Sequence, residues 1–119
     1  MSLKAESLKI NPNKKKAIMK EVTAILAQID DEIKHAYDQD KTSISATVPV
    51  TFNIPYMSNT TAQRNVYYHI LSSLLDRGFI VKIHLSPDST TFFIKWLSED
   101  EEKEVDLCNT LIAKHAIKK

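Results

Sequence analysis

Apolar residues recur along the first third of the chain at steps of three and four. Ile18, Val22, Ile25, Leu26, Ile29, Ile33, Ala36 and Tyr37 form one stripe, and that period predicts an amphipathic helix from about residue 12 to 39. Asn11-Pro12-Asn13 is its start signal, with asparagine as cap and proline tolerated in the first turn. Residues 44–54 then switch to strict alternation. Ile44, Ala46, Val48, Val50, Phe52 and Ile54 share one side, while Ser45, Thr47, Thr51 and Asn53 share the other, which predicts a half-buried strand. Pro49 removes a backbone donor within it and points to an edge strand or a bulge, and Pro55 ends it. Thr60-Thr61-Ala62-Gln63 matches a capping box. A second helix follows with Val66, Tyr67, Ile70, Leu71 and Leu74 on its stripe. Arg77-Gly78 stops it, the glycine supplying a left-handed turn.

Two further strands, Phe79 to Leu85 and Thr91 to Leu97, flank Ser86-Pro87-Asp88-Ser89, where proline suits a type I turn. A four-residue loop pairs Ile83 with Phe92, Val81 with Ile94 and Phe79 with Trp96, placing these six on the face toward the helices. Lys82, His84, Ile80, Phe93 and Lys95 then point the other way. Ser98 with Glu101 is another capping box. It opens a last helix whose expected buried stripe is Val105, Cys108, Leu111 and Ile112. Glu99 to Glu102 load its first turn, and Lys114, His115, Lys118 and Lys119 its end, in agreement with the helix dipole. The first helix has the opposite order, with Lys14, Lys15 and Lys16 at its start and Asp30, Asp31, Glu32, Asp38 and Asp40 toward its end. Either burial of its stripe outweighs that cost or a partner meets the termini.

The element order is helix–strand–helix–strand–strand–helix, an α+β fold with helices on one face of a three-stranded, mostly antiparallel sheet. Strand order 1-3-2 makes every pairing antiparallel with Pro49 at an edge. Order 1-2-3 makes the first two strands a parallel pair with a helical crossover. Residues 1–10 carry no period and read as a mobile arm, with residues 11–119 forming a single domain.

Composition narrows the function more by exclusion than by assignment. The 119 residues are 43% hydrophobic and carry a net charge of +1, so a real core is affordable and no nucleic-acid or membrane partner is forced. The start of the chain lacks the apolar run of a signal peptide and no segment is long enough for a membrane span, which predicts a soluble cytoplasmic or nuclear protein that is not secreted. One cysteine, Cys108, excludes an internal disulfide. One glycine, Gly78, excludes the dinucleotide fingerprint, the P-loop and the glycine-flanked clamp of KH domains.

No constellation supports catalysis. His35, His69, His84 and His115 fall on four separate elements, and only His115 shares one with Cys108; two ligands on one helix do not complete a tetrahedral metal site. Cys108 on an apolar stripe reads as a small core hydrophobe. The carboxylate runs sit at helix ends, where solvated caps are the ordinary reading, and they lack the alternation of a calcium loop. No enzyme activity, cofactor, metal, membrane or small-molecule substrate is expected.

The group that stands out is the outward sheet face: Lys82, His84, Phe93 and Lys95, with Thr47, Thr51 and Asn53 as neighbours. An aromatic flanked by lysines on an open sheet stacks a base and contacts phosphate. The same face equally docks a protein surface or simply stays solvated. Tyr68, turned outward on the second helix beside His69, is a further candidate contact. A winged helix-turn-helix needs two short helices before the hairpin, whereas Thr60 to Arg77 is one unbroken stripe.

Phe52-Asn53-Ile54-Pro55-Tyr56-Met57-Ser58-Asn59, Ala62-Gln63-Arg64, Tyr67-Tyr68, Arg77-Gly78-Phe79-Ile80-Val81-Lys82-Ile83 and Ile94-Lys95-Trp96 together resemble small uncharacterised proteins of large nucleocytoplasmic DNA viruses. The resemblance covers the middle half of the chain. It implies a viral accessory or virion-associated protein and carries no activity or site residues. The leading expectation is a non-enzymatic module that binds another protein or a second copy of itself, a two-fold dimer through the sheet edge or outer face being one form. The alternative is a nucleic-acid-binding domain using that face.

Overall fold

A computed structural model describes residues 12–116; the expected arm at 1–10 and the Asn11 cap lie outside the described residues. The order is α1 (Pro12–Asp38), β1 (Ser43–Val48), α2 (Asn59–Asp76), β2 (Ile80–Leu85), β3 (Thr90–Lys95) and α3 (Glu99–His115). The strands form one antiparallel sheet in the order β1-β3-β2. Both β1 and β2 are therefore edges, and the parallel alternative is set aside.

The hairpin has the register its alternation requires. Val81 lies opposite Ile94 and Ile83 opposite Phe92, and Ser86 N–H donates to Ser89 O at 2.9 Å across the four-residue loop. The regular ladder ends at Ile80 opposite Lys95, so the expected Phe79–Trp96 pair falls just beyond it. Trp96 instead donates its backbone N–H to Thr42 O at 3.4 Å.

Helices α1 and α2 pack on each other, α1 also covering β1 and α2 covering β2. The core is Ile18, Val22, Ile25 and Ile29 from α1, Ala62, Val66, Ile70 and Leu74 from α2, and Ala46, Val48, Phe92 and Ile94 from the sheet. Each helix contributes residues three or four apart, the stripe an α-helix presents to one side. Arg77 ties the end of α2 to Asp30 of α1 at 2.9 Å and lies 5.4 Å from the Phe79 ring centroid. Both charged groups are substantially exposed, so this pair adds about 1 kcal/mol at most. Gly78 ends α2 at φ +88°, where an L side chain is disfavoured.

Three expectations change. The strand expected over 44–54 stops at Val48, because its partner β3 begins at Thr90, opposite Val48, and beyond that lies the hairpin turn. The chain still places Phe52 and Ile54 in the core. The cap of α2 is Ser58 rather than Thr60: its side chain accepts the Thr61 N–H at 3.2 Å, starting the helix earlier than the Thr-Thr pair suggests. The largest correction concerns α3. None of its residues is buried, and beyond an ion pair at its first turn it packs against no other described element. Val105, Cys108, Leu111 and Ile112 form the expected stripe, but no other described residue covers it. With the body and α3 together, the long dimension is 83 Å against 23 and 22 Å.

Candidate functional site

Three surfaces emerge: the open sheet face, a groove along the β2 edge, and the uncovered face of α3. The strand pairings set the first row by row. Ser43, Lys95 and Ile80 form one row, Ser45, Phe93 and Lys82 the next, and Thr47, Thr91 and His84 the third. Lys82, His84, Phe93 and Lys95 thus share the face away from the helices. A shallow depression of about 200 Å³ lies here, lined by Ser43, Ser45, Ile80, Lys82, Phe93 and Lys95. Phe93 is 46% exposed at its centre. Thr51 and Asn53 lie beyond the end of β1 and do not join this face, since the ladder stops at Val48.

Lys95 is not simply a free cation on this face. Its ammonium lies 3.6 Å from the Glu102 carboxylate of α3. The acidic first turn of α3 therefore stands at one margin of the sheet. There, Ser98 caps the helix by accepting the Glu101 N–H at 3.2 Å and donating its hydroxyl to the Glu101 carboxylate at 3.1 Å. The expected capping box is present, with the carboxylate turned to the hydroxyl.

Tyr68 belongs elsewhere. It is 63% exposed on α2, edge-on to the His69 ring with centroids 5.3 Å apart. With Arg64 and Leu71 it faces Ile83 and Leu85 of β2 across a groove of about 440 Å³. The structure thus brings four of the five candidate contacts together and leaves the fifth in a separate groove. Leu85, 67% exposed, is an apolar member of that groove that alternation alone missed.

Residues Pro49–Ser58 are the feature least legible from pattern. They run beside α2 with no strand partner, so their backbone polar groups need other satisfaction. Asn59, Gln63 and Tyr67 supply it. Phe52 N–H donates to the Asn59 side-chain oxygen Oδ1 at 2.9 Å, and the Asn59 side-chain amide Nδ2 donates to Val50 O at 2.8 Å. The Gln63 amide also donates to Val50 O, and the Tyr67 hydroxyl donates to Pro49 O at 2.6 Å. These three side chains are spaced four apart and so line one face of α2; that spacing was the available signal. Tyr67 also packs edge-on against Phe52 and Phe92, with centroids 6.0 and 5.7 Å away. Burial pushes its phenol above the usual tyrosine value, partly offset by a hydrogen bond with the Thr90 side chain. The group is committed to holding this segment on the body.

The segment turns at Ile54-Pro55-Tyr56-Met57, where Met57 N–H donates to Ile54 O at 3.3 Å. Tyr56 sits at φ +59° and is 94% exposed. Proline followed by a positive φ is the pattern of a type II turn, whose third position ordinarily takes glycine or asparagine.

The chain is similar to the uncharacterized protein B125R of African swine fever virus. Identity is 39% over 49 residues for the forms from a South African tick isolate, a Namibian warthog isolate and a Vero-adapted strain, covering 41% of this chain. The chain spans 39% of the length of these relatives. African swine fever virus is a large nucleocytoplasmic DNA virus, the group that the middle of the chain resembles. No family model matches the chain, and no solved structure matches it. Among the described residues, no helix is long and apolar enough to cross a membrane.

Proposed function

We propose that this chain is a non-enzymatic protein-interaction module, a viral accessory or virion-associated protein acting in the cytoplasm or nucleus, whose α+β body carries α3 as its binding element. The observation that carries this reading is the uncovered stripe of α3. Leu107, Leu111 and Ile112 are 62%, 56% and 68% exposed, and Val105 is 42% exposed. An isolated helix of about 15 residues is marginal in water, and most helix stability comes from packing an amphipathic face. A helix with good caps and charges at both ends but no packing partner among the described residues is suited to packing on another chain. Similarity to a viral protein supports the accessory role. The absence of any converging catalytic groups in the sequence supports the non-enzymatic one.

The test places a photo-reactive amino acid at Leu111, with Asp88 in the hairpin turn as the control position, in the native setting. Cross-linking from position 111 to a polypeptide and none from 88 is expected. No adduct from position 111 overturns the assignment.

A second reading keeps one specific observation in its favour: Lys82, Phe93 and Lys95 share the open face, an arrangement that stacks a base beside phosphate contacts. The pairing of Lys95 with Glu102 and the acidic turn at its margin weigh against it.

A further inference from the structure

Resting on the interaction-module reading, we infer that the partner of α3 is α3 of a second copy of this chain, packed antiparallel about a two-fold axis passing near Cys108. The stripe on α3 is centred on Cys108, with Val105 one turn before it and Leu111 and Ile112 one turn after; all are exposed. Two helices crossing antiparallel at Cys108 bring Val105 of each copy onto Leu111 of the other. A single self-complementary patch results, as a two-fold dimer requires.

Charge selects the direction. The first turns of α3 carry Glu99, Asp100, Glu101 and Glu102, and its last turn carries Lys114 and His115. In the antiparallel register about Cys108, the acidic first turn of each copy lies level with the Lys114–His115 end of the other, at both ends of the pair. A parallel pair sets acid against acid and base against base, which like-charge repulsion opposes. The open sheet face is a poorer occupant for this helix. It offers Phe93 and Ile80 as large apolar groups, and its basic residues complement only the acidic half of α3. A helix pair of about 25 Å is a small contact, so the dimer is reversible and dilution dissociates it.

Sedimentation velocity of the full chain across a concentration series reads the outcome directly. A mass rising from monomer to dimer is expected. Leu111→Asp with Ile112→Asp weakens association on the order of 100-fold, the loss that removing central apolar anchors brings. A charge swap guards against misfolding as the cause. Glu101→Lys with Glu102→Lys forms one variant and Lys114→Glu with His115→Glu the other. Each is monomeric alone, and mixing them restores a dimer. A short bismaleimide, adding across both thiols, links Cys108 to Cys108 in the parent at dimer concentrations. A strict monomer at high concentration, a dimer indifferent to the Leu111 and Ile112 substitutions, or no thiol cross-link overturns the inference. If position 111 cross-links to a different polypeptide while the chain remains monomeric, the second-copy partner fails and the interaction module stands.

Discussion

The Tyr67 hydroxyl donates a 2.6 Å hydrogen bond to the Pro49 carbonyl, joining the middle of α2 to the first residue past the end of β1. Replacing it by phenylalanine keeps the ring between Phe52 and Phe92 and removes the hydroxyl with its bonds to Pro49 O and to the Thr90 side chain. Tyr67→Phe costs roughly 1–3 kcal/mol in urea unfolding, the range for lost intramolecular hydrogen bonds and a buried hydroxyl left without its partner. The same group gives a pH signature. Burial raises its native value above the 10.0 of a free tyrosine. Below that ordinary value both states keep the proton and the contribution is complete. As pH climbs further the unfolded chain ionises first, and stability falls until the native phenol ionises too. The difference in melting temperature between parent and Tyr67→Phe, flat at neutral pH, shrinks above about pH 10. A difference constant through that range counts against the role assigned to the phenol.

Asn59 works on both sides of the same segment, accepting from Phe52 N–H and donating to Val50 O. Asn59→Ala leaves a partly buried backbone donor without its partner, a loss of roughly 1–3 kcal/mol. Gln63 shares the Val50 oxygen, so the double substitution departs from additivity. Hydrogen exchange localises the effect: faster exchange at 50–57, with the α1 core amides unchanged.

Phe92 and Phe93 are neighbours with opposite surroundings, one fully buried and the other 46% exposed. Phe92→Ala destabilises by about 3–5 kcal/mol, the range for emptying an aromatic site in a core. Phe93→Ala costs about 1 kcal/mol or less, as substitutions at open positions do. Chemical denaturation of the two variants checks the register of the whole sheet, since a slip of one residue exchanges the two results.

If the open face bound nucleic acid, affinity would fall linearly on a logarithmic salt scale and vanish in Lys82→Glu with Phe93→Ala. The interaction-module reading expects no salt-sensitive retention of single-stranded DNA by the parent. Fluorescence anisotropy with a labelled oligonucleotide across a salt series decides. Binding with a steep slope, lost in the double variant, moves the function to the sheet.

Local pattern by itself determined the elements and the sidedness of the hairpin. The periods of α1 and α2, the alternation of β2 and β3 and the length of the Ser86–Ser89 loop are properties of residues a few positions apart. They were enough to place Lys82, His84, Phe93 and Lys95 on one face and Phe92 and Ile94 inside. Strand order, the true end of β1 and the fate of α3 were decided only in three dimensions. The alternation of 44–54 continues past Val48, but a ladder needs a partner, and β3 gives way there to a turn. The chain stays extended and trades strand bonds for the side chains of Asn59, Gln63 and Tyr67. An amphipathic stripe likewise states that a helix has a face to bury and not what will bury it. For α1 and α2 the sheet and each other suffice, whereas the stripe of α3 lies beyond the reach of its own core.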